Sequence, residues 1–174
     1  MQLLERVKKA GFLGREFLAW LWFRSETNGG RFDFGEEKTL DLWFDKKIVL
    51  ESEEEEGVEK VVCTGDHPHL KEARYALKEN KEITEAGIRL VIGDNEWSFV
   101  LDSTWLNFKN FKTPKTMADK GEDPDGLFYE KFFLVEQAVS AIDTLFAAFV
   151  KLRTSPEWET SELPALMGWI KGGR

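Results

Sequence analysis

Residues 83–107 read ITEAGIRLVIGDNEWSFVLDSTWLN. Two runs rich in Ile, Leu, Val, Trp and Phe flank Gly93, Asp94 and Asn95. Those three residues supply the backbone freedom and local hydrogen bonding that a tight reversal needs. The pattern predicts a hairpin, 83–92 against 96–107, and therefore antiparallel β structure at the centre of the chain. Upstream, Phe32 and Phe34 alternate with polar residues over 31–35, and Leu40, Leu42 and Phe44 do so over 39–44. Asp45, Lys46 and Lys47 read as a short turn before 48–51, which gives a second hairpin. Four consecutive acids, 53–56, have little to bury and read as an exposed loop. Val61 and Val62 centre a strand over 58–64.

Helical signals bracket the strands. Over 12–25 the apolar positions Phe17, Leu18, Trp20, Leu21, Trp22 and Phe23 nearly encircle a helix, and such a helix is buried on most sides. Asn28, Gly29 and Gly30 stop it. Arg15, Glu16, Arg24 and Glu26 flank its apolar stretch, and charges so placed reach the surface or pair locally. Gly65 to Lys81 reads as a turn and a helix with Pro68 at its first turn. Residues 110–125, with Pro114, Gly121 and Pro124, lack periodicity and read as a mobile linker. A long helix follows over 127–152. Its apolar stripe of Phe128, Phe132, Val135, Val139, Ile142, Phe146, Phe149 and Val150 keeps helical spacing and reads mostly as core. If part of it stays exposed in the monomer, a homodimer is the natural way to bury it. Ser155 and Pro156 end it, and a short helix spans 161–171.

The expected fold class is therefore α+β. An antiparallel sheet of five or six strands packs on the aromatic-rich helix, with a long C-terminal helix covering another face or a partner. The expected organisation is a domain over 1–113, a linker over 114–126 and a helical extension over 127–174 packed on the same domain. With 174 residues, 7 Trp and 14 Phe, the chain can bury roughly two thirds of its unfolded surface without disulfides or metal. A lone cysteine, Cys63, forms no internal disulfide, which fits a reducing compartment. Residues 1–9 have no apolar signal segment. Glu136 and Asp143 interrupt the longest apolar region, so no membrane is expected and the location read by elimination is cytoplasmic.

The formal net charge of −8 argues against a general nucleic-acid binder, yet its distribution is uneven. Residues 36–57 carry a net −6, while 107–120 and 1–24 each carry +3. In the first basic island, Trp105, Phe108, Lys109, Phe111, Lys112, Lys115 and Lys120 interleave aromatic and basic side chains. Rings stack bases and lysines neutralise phosphates. An edge strand with its aromatics in the core and its lysines in water gives the same pattern. Arg6, Lys8 and Lys9 form a second basic strip.

Catalytic signals are absent. There is no nucleophile elbow, no phosphate-binding glycine loop and no dinucleotide fingerprint, so no enzyme and no cofactor is expected. Cys63, His67 and His69 are zinc-type ligands close in sequence, but C-x3-H-x-H lacks a second ligand pair. A strand end, a turn and a helix cap explain the same residues, and a metal-dependent hydrolase is the remote alternative.

The order of these elements is similar to a known family. LGREFLAWLWFRSE at 13–26, then a helix, then ENKEI at 79–83 and two strands ending in WSFVL at 97–101 resemble the C-terminal half of the recombination-associated protein RdgC family. The similarity covers roughly residues 12–111. The long helix over 127–152 is an element beyond it, and the resemblance includes no counterpart of the family's additional N-terminal half. Members of the family are longer, form a ring-shaped dimer around duplex DNA, bind DNA without sequence preference and restrain recombinase filaments. The resemblance implies a DNA-binding protein linked to recombination or its control. DNA, duplex or single-stranded, and recombination proteins are then the implied partners, with a nucleoid location. The basic islands supply the candidate contacts: Lys109, Lys112, Lys115 and Lys120, with Arg6, Lys8 and Lys9, and Phe111 as the stacking residue. The alternative, which the acidic balance favours, is a protein-interaction module that does not touch DNA.

Overall fold

The computed structural model describes residues 3–33, 39–54, 57–65, 70–118, 121 and 123–172. The element order is α1 (Leu3–Thr27), β1 (Arg31–Asp33), β2 (Thr39–Glu54), β3 (Gly57–Gly65), α2 (Leu70–Lys78), β4 (Glu82–Ile92), β5 (Asn95–Asp102), β6 (Phe108–Lys112), α3 (Pro124–Arg153) and α4 (Leu163–Ile170). A π-helical turn, Trp158–Glu162, leads into α4.

The strands form one antiparallel sheet in the order β1-β2-β4-β5-β6. β3 pairs with the second half of β2, on the edge that β1 uses at its start. The hairpin around Gly93 forms as its sequence predicts, with Ile92 opposite Asn95 and Gly93 at a φ of 59°. The second expected hairpin does not form at residues 45–47. β2 runs straight through them as one strand of 16 residues. Phe44 faces Ile88 and Ile48 faces Ala86, so the three residues oppose Gly87 alone in a bulge, with Lys46 at a φ of 63°. Gly87 permits it, because a Cβ there would lie 2.0 Å from the Asp45 carbonyl oxygen.

One face of the sheet is the core. Leu40, Leu42, Ile48, Leu50, Ile83, Ile88, Leu90, Trp97, Phe99 and Leu101 are all buried there. α1 lies against this core and is enclosed, as its sequence demands. Its Trp22 stacks on Phe44 of β2 and meets Trp169 of α4 edge-on, while Phe17 and Trp20 pack on Phe149 of α3. The charges around its apolar stretch do not simply reach the surface. Arg15 pairs with Glu82, Glu16 with Arg153 and Arg24 with Glu162, each on another element. Glu26 accepts from the indoles of Trp22 and Trp169. Glu162 is buried, accepting from Trp20 Nε1 at 2.8 Å and from two nitrogens of Arg24 at 2.7 and 2.6 Å.

α3 is capped by Asp123, whose side chain accepts from the Gly126 amide, with Pro124 in the first turn. Leu134, Ala138, Ala141, Ile142, Leu145 and Phe149 are its buried residues. The Leu134 carbonyl also accepts from Trp97 Nε1 at 2.9 Å, which joins the helix to β5. Residues 113–118 run without helix or strand. Their end is held to α3, because the Glu130 carboxylate accepts from the Met117 and Ala118 amides at 2.8 and 2.9 Å.

Candidate functional site

The basic island is divided between two faces by the pleat and by an irregular step at Asn110, whose φ is 52°. β6 is an edge strand paired only with β5 among the described residues. Phe108 and Phe111 point to the core side, where both pack on Phe99 with centroids 4.7 and 5.6 Å away. Lys109 lies on the opposite face with its Nζ 2.8 Å from Glu85 and 3.1 Å from Asp102. Lys47 adds a contact to Glu85 at 2.7 Å. Hydrogen bonds from Lys109 and Lys47 hold the Glu85 carboxyl down at about 2, and those to Glu85 and Asp102 raise Lys109 above the usual lysine range. Lys112 and Lys115 are exposed and make no ion pair among the described residues. The side chains of Arg6, Lys8 and Lys9, and Lys120 altogether, lie outside the described residues.

The open face of the sheet holds a row of which the sequence singles out only Lys112. Trp43 pairs with Arg89, Arg89 with Ser98 and Ser98 with Lys112, straight across four strands. The Arg89 guanidinium sits 4.6 Å from the Trp43 ring centroid. Alternation within each strand would have placed these residues on one face, but only the pairing register brings them side by side.

Cys63 is buried on β3, and burial, with Glu72 second, raises its thiol pKa, so it stays a neutral thiol at neutral pH. His67 and His69 lie outside the described residues. Among the described residues no three His, Cys, Asp or Glu side chains converge on a metal position.

The most unusual surface lies on α3. Phe128, Tyr129, Phe132 and Phe133 are 65, 70, 60 and 55 % exposed. An aromatic side chain presents about 150–250 Å², so the four leave on the order of 500 Å² of ring surface open. That is the size of the largest apolar patches of soluble monomers, which are often functional. The expected stripe is thus core only from Ile142 onward, and Phe128, Phe132 and Val135 face away from it. The first half of α3 is apolar on more than one side, so periodicity does not reveal which side has a neighbour. By length and composition α3 would also be able to cross a membrane.

Acids frame this patch. At 100° per residue, Asp125, Tyr129, Phe132, Phe133, Glu136 and Asp143 share one arc of roughly 100°. The three acids are exposed and make no ion pair among the described residues. Lys131 points roughly 160° away from Phe133 and borders Phe128 instead, and the exposed Lys151 stands at the C-terminal end of the same arc. Continuing along the helix, Glu136, Val139, Ser140, Asp143, Thr144 and Ala147 line a shallow concavity of ≈ 430 Å³. No family model matches the chain, and comparison with curated proteins found none that matches it.

Proposed function

We propose that this chain is an acidic protein-interaction module that docks a partner on the aromatic face of α3. The observation that carries the reading is the set of four large rings held more than half exposed on a helix whose opposite face is locked into the core. Solvated rings on an ordered helix gain free energy when covered, at roughly 25 cal/mol per Å² of apolar area. Helix faces of this kind are a common recognition surface. The net charge of −8 and the internal use of Lys109 and Phe111 count in the same direction.

The test is a photoreactive phenylalanine analogue placed at Phe132, and in a separate protein at Lys112, in the producing cell. The reading expects a discrete protein adduct from position 132 that disappears when Phe128 and Phe133 are also changed to Ser, and no nucleic-acid adduct from position 112. A nucleic-acid adduct from 112 with nothing from 132 overturns it.

A second reading, DNA binding without sequence specificity, has one observation in its favour. The row Trp43, Arg89, Ser98 and Lys112, with Lys115 following β6, offers a stacking ring and exposed cations on an open sheet face. It also agrees with the RdgC resemblance and its link to recombination. Asp41, Glu85 and Asp102 share that face and offset its charge. Titration of labelled duplex and single-stranded DNA at two salt concentrations separates the readings. Binding that weakens steeply with salt and is lost in Arg89→Ala/Lys112→Ala supports DNA; no binding at low salt removes it.

A further inference from the structure

We infer that the partner segment seated on α3 is a basic amphipathic helix, whose apolar side covers the rings and whose Lys or Arg side chains meet Asp125, Glu136 and Asp143. The inference rests on the reading of α3 as a docking face and adds the chemistry of what docks there. Charge decides it. The three acids lie on the same arc as Tyr129, Phe132 and Phe133 and make no ion pair among the described residues; Lys131 borders only Phe128, and Lys151 stands two turns beyond Asp143. The concavity beyond Phe133 has carboxylates at Glu136 and Asp143 and aliphatic floor at Val139 and Ala147. That combination suits a long cationic side chain, whose methylenes pack on the floor while its charge reaches the acids. Small side chains at Ser140, Thr144 and Ala147 let a second backbone approach closely.

A second copy of this chain is a poorer occupant. It would bring a second set of the same three acids to the interface against one lysine of that arc, Lys151, and an excess of like charge at an interface disfavours association. An anionic membrane surface meets the same acids and is disfavoured for the same reason. The open ring area, on the order of 500 Å² per side, would bury about 1,000 Å² with its partner, the lower limit for a specific interface. Binding is therefore expected to be micromolar and exchangeable.

The experiment uses the full chain and two synthetic peptides of helical length. They share one Leu and Met face, and their flanks are Lys and Arg in one and Glu in the other. Fluorescence anisotropy is read at low and moderate salt. The basic peptide should bind about tenfold more tightly than the acidic twin, as expected for three exposed ion pairs, and this preference should shrink as salt rises. Glu136→Lys/Asp143→Lys should reverse the preference, and Phe132→Ser should abolish binding of both peptides. Tyr129→Ser serves as a second ring variant, and near-ultraviolet circular dichroism verifies that each variant keeps its packing.

Equal binding of the two peptides, lost in Phe132→Ser, overturns the basic partner and leaves the docking face standing. Failure of both peptides, or binding that ignores Phe132→Ser and Tyr129→Ser, overturns the docking face too. Dimerisation in sedimentation equilibrium that Phe132→Ser abolishes identifies a second copy instead. Ring-dependent binding to vesicles of phosphatidylcholine and phosphatidylserine, without peptide binding, identifies a lipid surface instead.

Discussion

Glu162→Ala should be among the most damaging single substitutions in this chain, because one buried carboxylate serves three donors on α1. The change strands Trp20 Nε1, which is buried, and removes both acceptors of the Arg24 fork. Breaking a fully buried pair from one side costs about 3–5 kcal/mol. The Arg24 side chain is one-third exposed, so water recovers part of that, and the expected loss is about 3 kcal/mol. With a urea m-value of about 2 kcal/mol/M, suited to a small domain, the midpoint should fall by about 1.5 M. Glu162→Gln keeps an acceptor for the indole and should lose about half as much. The comparison is Glu82→Ala, which breaks the more exposed Arg15 pair and should cost under about 1 kcal/mol. Urea unfolding followed by tryptophan fluorescence reads all three. If Glu162→Ala shifts the midpoint no more than Glu82→Ala, the carboxylate does not tie α1 to the C-terminal turn and the reasoning fails.

Further predictions concern acid stability and helix packing. Glu85 is held at about 2, below its ordinary 4.5, so its stabilising effect is present above pH 4.5 and is lost as pH falls from there toward 2. The Lys109 partner is nearly half exposed, so the effect is discounted to about 1–2 kcal/mol. Glu85→Gln should therefore be less stable than the native chain at pH 6, and the gap should close by pH 2; a constant gap in urea melts across that range would contradict the ion-pair account. Gly11 and Gly14 both lie in α1, yet a Cβ at Gly11 meets nothing within 4 Å while one at Gly14 would lie 1.7 Å from the Ser103 carbonyl oxygen. Gly11→Ala should raise stability by about 0.5–1 kcal/mol through helix propensity, whereas Gly14→Ala should lower it by about 1–3 kcal/mol through overpacking. Thermal melts of the same sign for both would show that the helix does not approach the β5–β6 connection as closely as described.

Much of the fold was legible because single elements carried their own signal. The Gly93 hairpin has turn residues between two β-type runs, and the ring of aromatics on α1 states that it is enclosed. The bulge at Lys46 was not legible, since three polar residues between alternating runs look the same in a turn and in a bulge; Gly87 on the neighbouring strand decides it. The partners of Arg24 and Glu16 lie more than 130 residues away, and no local pattern encodes them. In the lysine island, the interleaved pattern offers Phe111 as a stacking residue, and strict alternation puts it on the face opposite Phe108. The irregular step at Asn110, with a φ of 52°, turns both inward, and the capture of Lys109 by Glu85 and Asp102 needs the register of three strands. The α3 patch was hidden for another reason. Phe128 and Phe132 continue the spacing of a core stripe, and only the seating of Leu134 beneath Trp97 fixes which side of the helix is covered.

The most direct test is an amide-proton NMR map of the full chain as the basic peptide is added. Shift changes should cluster in 125–147 on the ring and acid arc of α3, with Trp43, Arg89, Ser98 and Lys112 silent. Changes confined to that sheet row, or a map in which duplex DNA and not the peptide perturbs the protein, would contradict it.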